Sequence, residues 1–408
     1  MNLSAFDSVK IGNLLLKNRI VRSATYEGAS DMNGFPTSKY SNIYEQLARN
    51  DVGMIISGFS YISRQGRAMQ GAQAGIDSSE KIQLFRDTTQ KVHEYNCPII
   101  LQLAHTGRQS LESVTGAKLL SSSTKKSPYF RQKPTLLTIA DIYKIISQFA
   151  DSAFFAKEAG FDGVQLHAAH GYLLHQLMLP ETNQLKNGFG IEHSTGISTK
   201  IIEIIYDKIK KRCGSEFPVL IKISGNHDLG SNFFPDKFVP LLKFIDSMKF
   251  AAVEISYGTM DYAMNIFRGD LNIDTVFKYN PIFRAENKLK KMILRTYTKK
   301  YLIPKFYSFS PLYNLQFAEM AKKITKIPII SVGGFRSKME IEYAISNNLT
   351  DLVGMSRPFI SEPDLVRKMK DADNDYVSLC TNCNECVLMC DSGRVTACYR
   401  NNNQKVSS

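Results

Sequence analysis

The sequence predicts an α/β protein: a closed (β/α)8 TIM barrel with a short Cys-rich C-terminal tail. Three observations carry that prediction. Eight short runs rich in Val, Ile and Leu alternate with helical patterns, the signature of repeated strand-helix units around a parallel sheet. Two long insertions, at 106–136 and 258–312, each follow a strand and precede its helix, which sets both on a barrel's C-terminal face, where active sites are built. Five of the seven cysteines crowd into positions 380–398, past the last strand-helix unit.

The expected strands are 19–24, 53–59, 98–104, 163–168, 218–224, 251–256, 328–332 and 351–355. Their near-continuous apolar character fits strands buried on both faces, although an open doubly wound sheet would read similarly. Between them the helix after Thr138 is the most legible. Thr138 and Asp141 make a capping-box-like start, Ile142, Ile145, Phe149, Ala153 and Ala156 recur at helical spacing, and Gly160 ends the run. Similar patterns cover 79–95, 199–211, 240–248, 315–324 and 338–347. The barrel is expected over residues 1–368 and the tail over 369–408; the former exceeds the ~250 residues usual for the fold, so its loops are elaborated.

With 43% apolar and 22% charged residues, the chain is neither disordered nor fibrous. No stretch approaches the ~18 consecutive apolar residues of a membrane helix, and the start MNLSAFDSVKIGNLLLKNRI lacks a signal-peptide layout. A soluble, cytoplasmic protein without a membrane partner is expected. The net charge is +13, and Lys278 to Lys305 holds nine basic residues against one acid, Glu286. Such a segment attracts nucleic acid, an acidic protein or a phosphorylated substrate. The interleaved Leu289, Ile293, Leu294, Tyr297 and Tyr301 suit an ordinary amphipathic helix with a solvated basic face, and no nucleic-acid partner is expected. Dense Cys without an export signal argues for metal or cluster ligation over disulfides.

Strand-end residues carry the chemistry of a barrel. The third strand contains Gln102 and the fourth runs through His167 to His170 and Tyr172. A spacing of three puts two histidines on opposite faces of a straight strand, but a turn leaving the strand brings both to one substrate atom. Two imidazoles there can stabilise charge developing on a carbonyl oxygen, and Tyr172 can supply a proton; a metal pair or core histidines are the bland alternatives. Lys222 interrupts an apolar strand, where a charge needs a partner; it is an anion stabiliser, or a cation paired to a neighbouring carboxylate. Gly333 and Gly334 follow the seventh strand, and Ser356 and Arg357 the eighth, the sector where barrels commonly bind phosphate.

Together, LKNRIVRSATYEG, LQLAHTGRQ, GVQLHAAHGYLLHQLMLP, SVGGFRS and DLVGMSRPFI resemble the Old Yellow Enzyme family of FMN oxidoreductases over residues 8–368. The Cys-rich tail narrows the resemblance to the branch similar to bacterial 2,4-dienoyl-CoA reductase and trimethylamine dehydrogenase. The resemblance implies FMN at the C-terminal ends of the strands. Ser23, Ala24, Thr25 and Tyr26 would lie along the flavin, and the Gln102 amide would match its pyrimidine edge. Lys222 would sit by flavin N1, favouring the anionic reduced form. Gly333, Gly334, Ser356 and Arg357 would take the phosphate. His167 and His170 would hold the substrate carbonyl, and Tyr172 would protonate carbon as hydride leaves flavin N5.

Cys380-x2-Cys383-x2-Cys386-x3-Cys390 also reads like a ferredoxin run, with Asp391 where Pro usually stands. In the branch that carries a cluster the fourth Cys lies further off, as in Cys386-x11-Cys398. The resemblance therefore implies Cys380, Cys383, Cys386 and Cys398 around a [4Fe-4S] cluster with Cys390 spare; structural zinc on four thiolates is the alternative. Long members continue into a second nucleotide-binding region, whereas no G-x-G-x-x-G occurs here. Reduction is expected from NAD(P)H at the flavin, or from an acidic donor protein such as ferredoxin or flavodoxin docking on 278–305; that segment would otherwise grip a CoA thioester's phosphates. The expected activity is reduction of an activated C=C bond in an enone or enoyl thioester. Competing readings are an amine or ether-type dehydrogenase, an electron-transfer or scaffold subunit, and tRNA dihydrouridine synthesis. The last needs a Cys acid over the flavin, whereas Cys97 precedes a strand and Cys213 ends a helix. The substrate and the oligomeric state are not written in the sequence.

Overall fold

The computed structural model describes residues 3–230 and 233–400. All eight expected strands form, as β1 (Ile20–Arg22), β2 (Met54–Ile56), β3 (Ile99–Ala104), β4 (Gly163–Ala168), β5 (Val219–Ser224), β6 (Val253–Ser256), β7 (Ile329–Val332) and β8 (Leu352–Met355). Each pairs in parallel with the next, and β8 returns to β1 to close the barrel. Apart from Val332 every residue in these strands is buried. That accounts for the unbroken apolar runs: one face meets the barrel interior and the other meets helices.

Seven of the eight strands are shorter than expected, β1 and β2 most of all, and at the ends of these two side chains take peptide groups that would extend the ladder. Beyond β1, Arg22 donates to the carbonyls of Ser23, Ile56 and Thr25 at 3.2, 3.1 and 3.3 Å. Beyond β2, the Gly58 N–H is held by Glu27 Oε1 at 2.7 Å and by the Tyr44 hydroxyl at 2.8 Å. The antiparallel pair Val9–Ile11 and Leu14–Leu16 sends Ile11 and Leu16 into one apolar cluster with Val21, Ile100, Leu220 and Leu352, at the strands' entry ends. The barrel is thereby plugged at the bottom, and any site must open at the top.

Helices fill the outer layer. The capping box at Thr138 and Asp141 starts Ile139–Glu158 with both reciprocal bonds in place, and Ser337 with Glu340 does the same for Lys338–Ser346. The helix expected over 79–95 is a 3-10 turn at Ser79–Lys81 followed by Ile82–His93. Ser38–Ala48, between β1 and β2, had no sequence signal strong enough to mark it. No helix among the described residues is long and apolar enough to cross a membrane.

Both insertions stand on the C-terminal face and are locked together. Arg108 reaches Asp261 at 2.6 Å, and Gln109 and Ser127 donate to the other Asp261 oxygen at 3.0 and 2.6 Å, all buried. The tail folds back over this face: Glu385 accepts from Asn272 and Thr275, and Asp391 accepts from Gln70 and Asn280 at 2.8 and 2.7 Å. One expectation fails in the second insertion. The helix Lys288–Tyr297 forms, but it buries no residue, and of its apolar side chains only Leu294 packs inward, on the small cluster of Ile273, Phe277 and Ala285. Leu289, Ile293, Tyr297 and Tyr301 face solvent.

Candidate active site

One cleft opens at the top of the barrel, and twelve of the expected barrel residues line it: Ala24, Thr25, Tyr26, Gln102, His167, His170, Tyr172, Lys222, Gly333, Gly334, Ser356 and Arg357. Ser23 is the exception. Its hydroxyl lies beneath the wall, bound to Glu254 and accepting from Lys222 at 3.0 Å, so it positions the lysine rather than facing a ligand.

The polar floor is a connected network. Gln102 Nε2 donates to Gln165 Oε1 at 2.6 Å, Gln165 Nε2 donates to Glu254 Oε2 at 2.9 Å, and Lys222 Nζ stands 3.2 Å from Glu254 Oε1. Parallel register sets Lys222 beside Glu254 on β6 and beside His167 on β4. Lys222 thus both faces the cleft and has a buried carboxylate partner. Glu254 was missed, although an acid inside the apolar run of 253–255 carries the same signal that marked the lysine.

The two histidines meet because the chain turns sharply after β4. His170 has φ of 60° and Gly171 φ of 72°, and the left-handed conformation costs a residue other than glycine about 1 kcal/mol. The turn is held by Ser224 Oγ on the His170 amide at 3.3 Å and by the Met260 amide on the His170 carbonyl at 2.8 Å. The imidazoles sit 5.0 Å apart edge to face, and the Tyr172 ring is 4.8 Å from His167. Phe59 packs against both His167 and Tyr172. Burial, then Lys222 and His175, hold His167 well below the ordinary imidazole value; burial, then His167 and Lys222, do the same to His170. Both rings are therefore neutral at pH 7. Burial, then Cys390, push the Tyr172 phenol up, so it keeps its proton. His170 Nε2 is engaged by Ser256 Oγ at 2.8 Å, whereas His167 Nδ1 is buried with no partner among the described residues.

At the other end of the cleft two guanidinium groups converge. Arg336, just past Gly333 and Gly334, and Arg357 are both buried. Burial, then Arg357, lower the Arg336 pKa. Neither has a carboxylate within ion-pair distance among the described residues; Arg336 donates to Asn382 and the Phe335 carbonyl, and Arg357 to Asn384 and the Arg268 carbonyl. Two adjacent buried cations held only by neutral acceptors need an anion. Gly334 is required here: a Cβ on it would lie 2.3 Å from the Leu312 amide. Arg336 escaped the sequence reading even though it ends the SVGGFR run, because only Arg357 stood directly at a strand end.

An amide and an ammonium at one end, two arginines at the other and apolar walls between fit FMN, which carries a pyrimidine edge and a phosphate. The tail closes one side of the same cleft through Cys386, Val387, Cys390 and Thr396. Cys380, Cys383, Cys386 and Cys398 line a second, adjoining cavity together with Arg357 and Arg400, and Cys390 does not. All seven cysteines are free thiols. Among the described residues no three His, Cys, Asp or Glu side chains are gathered to hold a metal ion.

The family model described as "NADH:flavin oxidoreductase / NADH oxidase family" matches residues 4–258 and 286–375, omitting part of the second insertion and the Cys-rich tail. The NADH oxidase of Thermoanaerobacter brockii is 25% identical over 393 residues, covering 96% of this chain and 54% of that protein. The cinnamate reductase of Clostridium sporogenes is 26% identical over 398 residues, covering 93% and 54%. The chain thus spans about half the length of these curated relatives. A solved structure of the Old Yellow Enzyme homologue from Zymomonas mobilis superposes with a TM-score of 0.72 at 21% identity, over 93% of this chain and 96% of that one.

Proposed function

Since the chain belongs to the NADH:flavin oxidoreductase / NADH oxidase family, we propose that its cleft holds FMN and that the protein uses NADH to reduce an activated C=C bond conjugated to a carbonyl. The observation that carries this reading is the convergence of His167, His170 and Tyr172 at the mouth of a cleft whose floor bears Gln102 and Lys222. Gln102 and Lys222 would hold the flavin's polar edge, and Gly333, Gly334, Ser356, Arg336 and Arg357 its phosphate. FMN, when bound, supplies hydride chemistry.

The chain's own residues do the rest. Neutral His167 and His170 offer hydrogen bonds to one carbonyl oxygen without trapping it as an ion pair, and they stabilise the charge that grows there. Tyr172, protonated at neutral pH, delivers a proton to the substrate carbon. Phe59 and Tyr26 shield the site from water. A relative that is a cinnamate reductase is consistent with a conjugated acid or thioester as the acceptor.

We further propose that Cys380, Cys383, Cys386 and Cys398 hold a [4Fe-4S] cluster in the adjoining cavity, while Cys390 belongs to the flavin cleft. A four-iron cluster is bound by thiolates spread around it, so a cavity lined by four cysteines suits it better than a site for a single zinc ion.

The experiment is anaerobic purification with flavin, iron and sulfide analysis, followed by NADH-driven turnover of cinnamate and 2-cyclohexenone. One FMN per chain and consumption of either acceptor are expected, and FMN with no acceptor consumed overturns the ene-reductase reading. Loss of iron in Cys383→Ser with iron retained in Cys390→Ser is expected for the tail; zinc, or iron lost equally from both, overturns the ligand set.

A further inference from the structure

An amphipathic helix normally turns its apolar stripe to the protein and its charges to water. The helix Lys288–Tyr297, continued by the turn Thr298–Leu302, instead leaves most of its apolar side chains in water beside its charges. Its inward, half-buried positions are Lys291, Leu294, Thr298 and Leu302. Leu289 and Met292 are each 60% exposed, Ile293 58%, Tyr297 50% and Tyr301 49%. These side chains recur every three or four residues, so they form one outward ridge about 20 Å long. Lys290, Lys299 and Lys300 are interleaved with it or flank it, and no acidic residue occurs between Glu286 and Glu319. Arg295 is tied to Asp274 and Arg284 to Glu286, but Lys288, Lys290, Lys291, Lys299, Lys300 and Lys305 have no carboxylate within ion-pair distance among the described residues.

We propose that this ridge docks on an anionic lipid surface, with the helix lying in the plane of the headgroups. A helix of low mean hydropathy, strong apolar asymmetry and lysines around a Leu, Met, Ile and Tyr ridge is suited to that position. The charge along the ridge is of one sign throughout. A folded acidic protein needs complementary shape and a pattern of opposite charges to fix its register; a uniformly negative, deformable surface needs neither. Lysines interleaved with the ridge extend their stems upward to the phosphates while the apolar side chains sink, and the Tyr297 and Tyr301 rings suit the boundary between water and acyl chains. A second copy of this chain fits poorly, since it would set eight net positive charges against eight more. Leu294, packed on its small cluster, and Arg295, paired with Asp274, fasten the helix to the body, so docking through the ridge leaves the barrel cleft intact.

The chain contains no tryptophan, so Tyr297→Trp places a single indole on the ridge. The holoenzyme carrying it is mixed with vesicles of phosphatidylcholine containing 30% phosphatidylglycerol, and separately with phosphatidylcholine alone, at about 0.1 M salt. Expected are co-sedimentation at least tenfold stronger with the anionic vesicles, a blue shift of indole emission, and quenching by brominated acyl chains. The triple variant Leu289→Ser/Met292→Ser/Ile293→Ser should weaken binding tenfold or more with an unchanged flavin spectrum, and Lys290→Glu/Lys299→Glu/Lys300→Glu should abolish it. No sedimentation with anionic vesicles overturns the proposal, whether or not an acidic protein or a second copy then proves to bind. Binding that the serine variant leaves unaltered also overturns it, because that is adhesion of a basic chain by charge alone.

Discussion

Replacing Glu254 by Gln strands the Lys222 ammonium inside the barrel. The pair is 3.2 Å apart with both side chains buried, and at an effective dielectric near 20 the attraction lost is about 5 kcal/mol. Removing one member of a buried ion pair typically costs about 3–5 kcal/mol. The Ser23 hydroxyl still accepts from Lys222 at 3.0 Å and offsets about 1 kcal/mol, so the expected loss for Glu254→Gln is about 3 kcal/mol. The introduced amide keeps an acceptor for Gln165, while its NH2 group replaces the oxygen that accepts from Ser23 and faces Lys222, so that hydrogen bond is lost together with the charge. Urea unfolding of the apoprotein, followed by circular dichroism, measures the loss. Removing both charges, in Lys222→Met/Glu254→Gln, should recover most of the loss, since the penalty is that of an unpaired charge. A loss below about 1 kcal/mol, or a double variant worse than the single, would each refute the argument that these two groups neutralise one another.

Tyr172→Phe should slow acceptor reduction by about 10²–10⁴-fold while leaving reduction of the flavin by NADH within about twofold of the parent; stopped-flow separates the two half-reactions. Because burial holds both His167 and His170 well below the ordinary imidazole value, binding of a phenol or carbonyl ligand should be flat from pH 6 to 8, and a limb centred near the free-imidazole value of about 6.5 would contradict it. Arg336→Gln should weaken FMN retention about 10–100-fold, the worth of a charge-assisted hydrogen bond, as read by flavin titration of the apoprotein. His105, buried outside the cleft, has its pKa lowered to about 4 by burial. A group depressed in the folded state takes up its proton only on unfolding, so stability should fall between pH 6.5 and 4. His105→Asn should remove about 2 kcal/mol of the loss between pH 7 and 5, by urea unfolding at each pH.

Much of the cleft was legible before any coordinates because barrel strand ends are marked twice, by an apolar run and by the polar residue that terminates it. His167, Lys222 and Gln102 were found that way. Glu254 and Arg336 carried related marks but gained meaning only from partners distant in sequence: Lys222 lies across the β5–β6 pairing, and Arg357 arrives from the following strand. Ser23 sits in the expected motif yet faces inward, since Lys222 and Glu254 claim its hydroxyl.

By itself the sequence determined the eight-unit barrel, the face on which both insertions stand, the histidine turn and the gathering of cysteines in the tail. Those properties follow from local periodicity and from residue types whose burial is costly unless they are used. Tertiary structure alone decided which way each ambiguous element turned. Cys390 lines only the barrel cleft, Cys380, Cys383 and Cys398 only the adjoining cavity, and Cys386 both; Asp391, held between Gln70 and Asn280, anchors the chain beside Cys390. The helix Lys288–Tyr297 points its apolar ridge outward because only Leu294 finds a cluster beneath it. Periodicity specifies that a stripe exists; which side of the helix is buried depends on contacts supplied by residues elsewhere in the chain.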